Sequence, residues 1–218
     1  MSPLTVRENA GGHIDPVEAG VYVGVCYGLI DLGTQENKVF GGEAHKVLVQ
    51  WELPECRGTF EKDGEEQDLP RVISTKYTLS LSEKANLRKD LESWRGRKFT
   101  ADELQGFDLK AILGAPCQLQ VVHETSRDGR TFANVAAIMA LPKGTPRPEK
   151  PENPLAFFSF EEAGDKPEIP EVPDWVRNII TESKEWRELM SGVPAEAQTE
   201  TDAGPAEPRT DEEDNIPF

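Results

Sequence analysis

The stretch Gly20–Leu32, GVYVGVCYGLIDL, decides how the chain is read. It is rich in Val and Tyr, the side chains that suit a pleated, half-buried surface. Gly24 and Gly28 interrupt it at a spacing that leaves both on one face of a regular strand. Glycines so placed mark a sharp bend at a barrel corner or the close approach of another backbone. A polar loop bounded by Gly33 and Gly42 follows. In His45–Leu53 (HKVLVQWEL), Val47, Val49, Trp51 and Leu53 then alternate with Lys46, Gln50 and Glu52. That is the period of a half-buried strand. A charged loop over Pro54–Pro70 leads to a third strand, Arg71–Leu79 (RVISTKYTL).

The period then changes. Ser80 and Glu83 have capping-box spacing, and Leu87, Leu91 and Trp94 fall on one helical face, ended by Arg95-Gly96-Arg97. A short helical turn is expected around Asp108–Leu113. Two further strands follow, Cys117–Thr125 and Thr131–Leu141, joined by a hairpin at Asp128-Gly129. No internal repeat is present. Five short strands with one internal helix between the third and fourth predict a mainly β chain with an OB-fold-like five-stranded barrel over 20–141. A generic α+β sheet would give the same string. Residues 1–19 read as an N-terminal arm.

Beyond Pro142 the character is that of a linker. Proline and glutamate dominate 142–173, a composition that does not build a packed core. Within Asp174–Met190, Trp175, Ile179, Trp186 and Leu189 share a helical stripe, with Asp174 as N-cap. Such a helix either docks on the barrel or receives a partner. Residues 191–210 read as a disordered spacer, and 211–218 as an acidic tip. Charge divides the same way: residues 1–148 hold 18 Lys/Arg against 21 Asp/Glu, whereas 149–218 hold 6 against 19. A nearly neutral body carries an acidic tail.

Cys26, Cys56 and Cys117 form no CxxC or Cys/His cluster and read as reduced thiols. The N-terminal residues lack the apolar core of a signal peptide, and no run reaches the ~18–20 apolar residues of a membrane span. A cytoplasmic protein is expected. There is no P-loop, GxSxG, HExxH or paired-carboxylate motif, so the expectation is a protein that is not an enzyme and uses no metal or cofactor.

The last residues, TDEEDNIPF, carry the functional argument. Asp211, Glu212, Glu213 and Asp214, followed by Ile216, Pro217 and Phe218, resemble the end of the bacterial single-stranded DNA-binding protein (SSB) family. The resemblance implies a docking site for replication, recombination and repair proteins. The chemistry agrees: the Phe218 ring fills an apolar pocket while an Arg or Lys at its lip takes the carboxylate. Pro217 lowers the ordering cost, Ile216 adds contact, and the acids steer the peptide toward a basic rim. The family more often has a Gly- and Gln-rich spacer. A divergent, bacteriophage-encoded member in the cytoplasm of a bacterial host fits that departure.

A sequence-tolerant single-strand binder needs aromatic faces for stacking and cations along the backbone path. Alternation assigns Trp51, Tyr77 and Trp94 to the core. Candidate DNA-binding residues are then Tyr22, on the side of Gly24 and Gly28 where small neighbours leave room for a base, with Lys38 and Phe40 in the first loop. Lys46 and Lys76 point outward from strands 2 and 3, and Arg127, Arg130 and Phe132 flank the last hairpin. Arg95, Arg97 and Lys98 form a second basic cluster that extends the path or solvates the helix end. The partners implied are single-stranded DNA and tip-binding enzymes, with a homo-oligomer left open and no membrane. The rival reading is an adaptor or inhibitor that captures such enzymes with the tip and binds no DNA.

Overall fold

The computed structural model describes residues 15–36, 41–62, 65–126, 128–148, 150–164 and 167–191. Most of the arm, all but one residue of the spacer and the whole acidic tip lie outside them. The described chain is mainly β, a six-stranded sheet curled into a half-barrel with a few helices. Its strands are β1 (Gly20–Glu36), β2 (Glu43–Lys62), β3 (Glu65–Thr78), β4 (Pro116–Thr125), β5 (Thr131–Met139) and β6 (Ala156–Phe158). They lie in the order β3-β2-β1-β4-β5, neighbours antiparallel, and β6 runs parallel to β1.

β1 is long because it serves three partners. Its first half pairs with β4 (Gly20↔Val121 to Val25↔Pro116), its second half with β2, and Gly28–Ile30 with β6. Register shifts at Cys26/Gly28 and Asp31/Gly33 break the strict alternation. A bulge adds one residue and turns the following side chains over. Cys26 and Leu29 therefore face the inner core, while Ile30 and Leu32 face an outer one. The near-continuous apolar run of β1 is that of a strand buried on both sides.

The inner core gathers Trp51, Leu53, Ile73, Tyr77, Leu119 and Val121 against helix α1 (Asn86–Arg95). Trp51 and Trp94 meet with ring centroids 5.9 Å apart, and Trp94 Nε1 donates to the Pro116 carbonyl at 3.0 Å. Gly96 ends α1 at φ 67°. The expected capping box does not form. The helix starts at Asn86, and the Ser80 hydroxyl accepts from Ser82 N, two residues on, in a local turn of the kind serine favours. Two 3₁₀ turns, Glu103–Gln105 and Leu109–Ile112, lead into β4.

Three expectations are corrected. The charged stretch 54–70 is not a loop. β2 and β3 pair through it as far as Lys62↔Glu65, past an irregularity between Leu53 and Arg57. Pro54 falls in that irregularity, and Pro70 lies on β3, at the edge of the sheet, both places where a missing N–H is tolerated. The segment 142–173 contains β6 and the short helix α2 (Phe160–Ala163), with Phe158 buried. The single helix expected over 174–190 is two, α3 (Asp174–Glu182) and α4 (Lys184–Ser191). They break at buried Ser183, whose hydroxyl accepts from Trp186 N at 3.2 Å and so caps α4. Pro173, not Asp174, holds the N-cap position of α3.

The helix pair docks on the sheet. Val176 and Ile180 close over Ile30, Leu32, Leu48 and Phe158, all at or below 4% exposure. At ~1.5–3 kcal/mol per buried aliphatic side chain, this second core holds the C-terminal segment as part of the fold. A buried carboxylate pins its start. Glu52 is wholly buried and accepts from Glu152 N (2.9 Å), Asn153 N (2.7 Å) and Asn153 Nδ2 (2.7 Å). Arg57 adds an ion pair to Glu152 at 2.6 Å. Among the described residues no helix is long and apolar enough to cross a membrane.

Glu52→Ala strands three donors that the carboxylate now satisfies. We expect it to lower unfolding stability by about 3 kcal/mol, read as a fall in the urea midpoint, with Glu52→Gln losing less. An unchanged midpoint for the alanine variant would refute the pin.

Candidate nucleic-acid interface

The sheet separates the candidate residues onto different surfaces. Lys46 pairs with Thr78, and Lys76 with Leu48, so both lysines share the outer face of β2 and β3 with Leu48. That face is closed at Leu48 by α3 and α4. The lysines therefore stand at the border of the helix pair, not on an open sheet.

A polar junction anchors α4 at the same end. His45 Nε2 lies 2.6 Å from Asp31 Oδ1, and His45 Nδ1 lies 3.4 Å from Glu185 Oε1. Glu185 also accepts from Thr34 N (2.6 Å) and Thr34 Oγ1 (2.5 Å). Asp31 takes Gly33 N at 2.8 Å and Phe160 N at 3.2 Å. Burial pulls the His45 pKa down, but the hydrogen bond and charge of Asp31 and the charge of Glu185 outweigh it, and the net shift is upward.

Arg130 and Phe132 belong to the β4–β5 end. Val121 pairs with Gly20 and Lys46 with Gly33, so the hairpin and the lysines sit at opposite ends of β1. Arg130 is held by Asp128, Nη2 to Oδ2 at 2.5 Å. The Ser126 hydroxyl and this guanidinium lower the Asp128 carboxyl to about 2. Phe132 pairs with Glu124 and is half-buried. In the second basic cluster Arg95 and Arg97 share one carboxylate. Glu103 bonds both Arg97, at 2.7 Å, and Arg95, whose guanidinium lies 4.5 Å from the Phe99 ring and 4.9 Å from the Phe107 ring. Arg97, the Thr100 amide and Arg95 lower the Glu103 carboxyl to about 2. Lys38, Phe40 and Arg127 lie outside the described residues, as do Asp211, Glu212, Glu213, Asp214, Ile216, Pro217 and Phe218.

Tyr22 lies on the inner face, where it packs against the core, and its hydroxyl donates to the Glu18 carbonyl at 2.9 Å. The room expected beside it is taken: a Cβ at Gly24 would stand 2.7 Å from Leu119 Cδ1 and 3.5 Å from Trp51 Cβ. Gly28 does not share that face. The bulge turns it to the outer side, where it fits against the Gln50 side chain. Trp51, Tyr77 and Trp94 are core residues, as the alternation predicts.

The sequence reading missed part of the inner face. Leu53 pairs with Arg71, Gly58 with Leu69, and Phe60 with Gln67, so these side chains continue the core-facing side of the sheet outward along the β2–β3 ribbon. Cys56 packs at the core's rim below them. The signal was Asp63-Gly64, a hairpin dipeptide between Lys62 and Glu65. No family model, no curated protein and no solved structure matches the chain.

The His45 junction gives a pH signature. A histidine whose folded pKa is raised stabilises the fold fully below its unfolded value, near 6.5, and loses that contribution as pH rises through the folded value. The urea midpoint should therefore fall as pH rises from about 6 to 8, and His45→Gln should flatten the fall. A wild-type slope retained in the variant would assign it elsewhere.

Proposed function

We propose that this chain is a single-stranded DNA-binding protein with an OB-fold body, and that its acidic tip recruits replication, recombination or repair proteins. The observation that carries the reading is the strand order β3-β2-β1-β4-β5 with α1 between β3 and β4. That is the order of a partly open five-stranded barrel of the kind that binds oligonucleotides. The tip adds independent support through its likeness to the SSB family, with Ile216-Pro217-Phe218 behind four acids. In this reading, exposed bases stack on aromatic faces of the body and cations meet a few phosphates. The tip meanwhile engages a pocket on a DNA-processing enzyme.

The charge pattern makes stacking the larger part. Arg97 and Arg130 are paired with Glu103 and Asp128. These two arginines are therefore less available for phosphate, and we expect a shallow salt dependence. Two or three neutralised phosphates correspond to a log–log slope of about −1.5 to −2 on single strands. The same pairing favours the rival, an adaptor that binds no DNA.

Anisotropy of a labelled dT oligonucleotide, with duplex DNA as competitor, separates the two. The proposal requires single-strand preference with the shallow slope. No binding at low salt, even after the acidic tail is removed, would favour the adaptor. Deleting Phe218 should abolish capture of a tip-binding enzyme and leave strand affinity equal or slightly tighter. Unchanged capture would sink the docking role.

A further inference from the structure

On the inner face the Phe60 ring rests on glycine rather than on core side chains, and the Tyr22 ring, packed on one side against the core, lies over a second glycine. A Cβ at Gly58 would stand 3.2 Å from Phe60 Cε2, 3.3 Å from its Cζ and 3.2 Å from Arg71 Nε. The ring and the guanidinium thus abut the same point above Gly58. A Cβ at Gly20 would stand 3.4 Å from Tyr22 Cε2. Phe60 belongs to neither apolar cluster, although it is half-buried. Arg71 is steadied by the Asp15 carbonyl, and its charge reaches both Tyr22 and Cys56. Register sorts the nearby charge: Glu66 and Asp68 alternate onto the face opposite Gln67, Leu69 and Arg71, and Asp68 pairs there with Arg57 at 2.6 Å.

We propose that Phe60, Tyr22 and Arg71 form a base-stacking platform for the unpaired bases of a single DNA strand, entering along the inner face of the β2–β3 ribbon. A glycine beneath each ring lets it lie close to the backbone and present a π-face. The neighbouring guanidinium supplies a cation for the phosphate that follows a stacked base, or stacks itself. Register turns Glu66 and Asp68 away from this face, and Glu18, whose charge also reaches Tyr22 and Cys56, stands beside Arg71 at its inner end. Base pairs in a duplex hide the faces this platform needs, so the site selects single strands. The inference rests on the strand-binding reading and adds its location.

The test is photo-crosslinking of the full chain to a dT oligonucleotide carrying one 5-iodo-deoxyuridine, with the adduct mapped by peptide mass spectrometry. Adducts on Phe60 or Tyr22 are expected. Phe60→Ala should weaken dT binding roughly five- to 100-fold, the range of one lost stacking contact, with little change in thermal midpoint. Phe60→Leu, which keeps apolar cover without a π-face, should weaken it similarly, and Phe60→Trp should preserve it. Adducts confined to the Lys76 or Phe132 surfaces, or leucine binding as well as phenylalanine, would overturn the platform while strand binding itself stands. A ring that only shields the Gly58 backbone would show as a lower thermal midpoint with unchanged affinity, which also overturns it. Absence of any strand binding by the wild-type chain would remove the platform and the parent reading together.

Discussion

A strand apolar on both faces has to be covered twice, and β1 is that strand. Its bulges at Cys26/Gly28 and Asp31/Gly33 distribute one apolar run between two cores. Cys26 and Leu29 are served by the curl of the sheet and by α1. Ile30 and Leu32 need a second cover, and among the described residues the chain beyond β5 supplies it. The parallel β6, the Glu52 carboxylate on the amides of 152 and 153, and the helices over Leu48 all follow from that need.

This double cover bears on where a strand of DNA can lie. The outer face of β1 and β2 is occupied by Val176, Ile180 and their neighbours. Opening it would expose several wholly buried aliphatic side chains, at a cost of several kcal/mol. Among the described residues no helix covers the inner face of the ribbon, and there the chain places rings over glycines beside an arginine. Arg57, Arg97 and Arg130 are paired with carboxylates, which favours the proposal that bases are held by their faces more than phosphates by charge.

Alternation identified the elements whose faces differ in polarity. Val47, Val49 and Trp51 against Lys46 and Gln50 announced β2, and Leu119 and Val121 sit in a strand found within a residue of its expected start. It failed where parity changed or charge was dense. Gly24 and Gly28 look like one face only until a bulge is inserted between them. Charges such as Glu55, Arg57, Glu61 and Lys62 hide the ribbon from alternation, although a strand pair exposed on one side tolerates them. β6 is three residues long, too short for any period, and its place depends on Glu52, 100 residues away from Glu152. Apolar spacing places Ser183 inside one helix, because it does not report the backbone geometry on which capping depends.

We propose that single-stranded DNA runs along the inner face of the ribbon while the helix pair stays docked. Hydrogen–deuterium exchange of the full chain with and without a dT oligonucleotide checks this, with slowed exchange expected in 54–62 and 65–72 and no change in 174–191. Faster exchange in 174–191 on binding, or protection restricted to the Lys46 and Lys76 border, would contradict it and place the strand on the outer face.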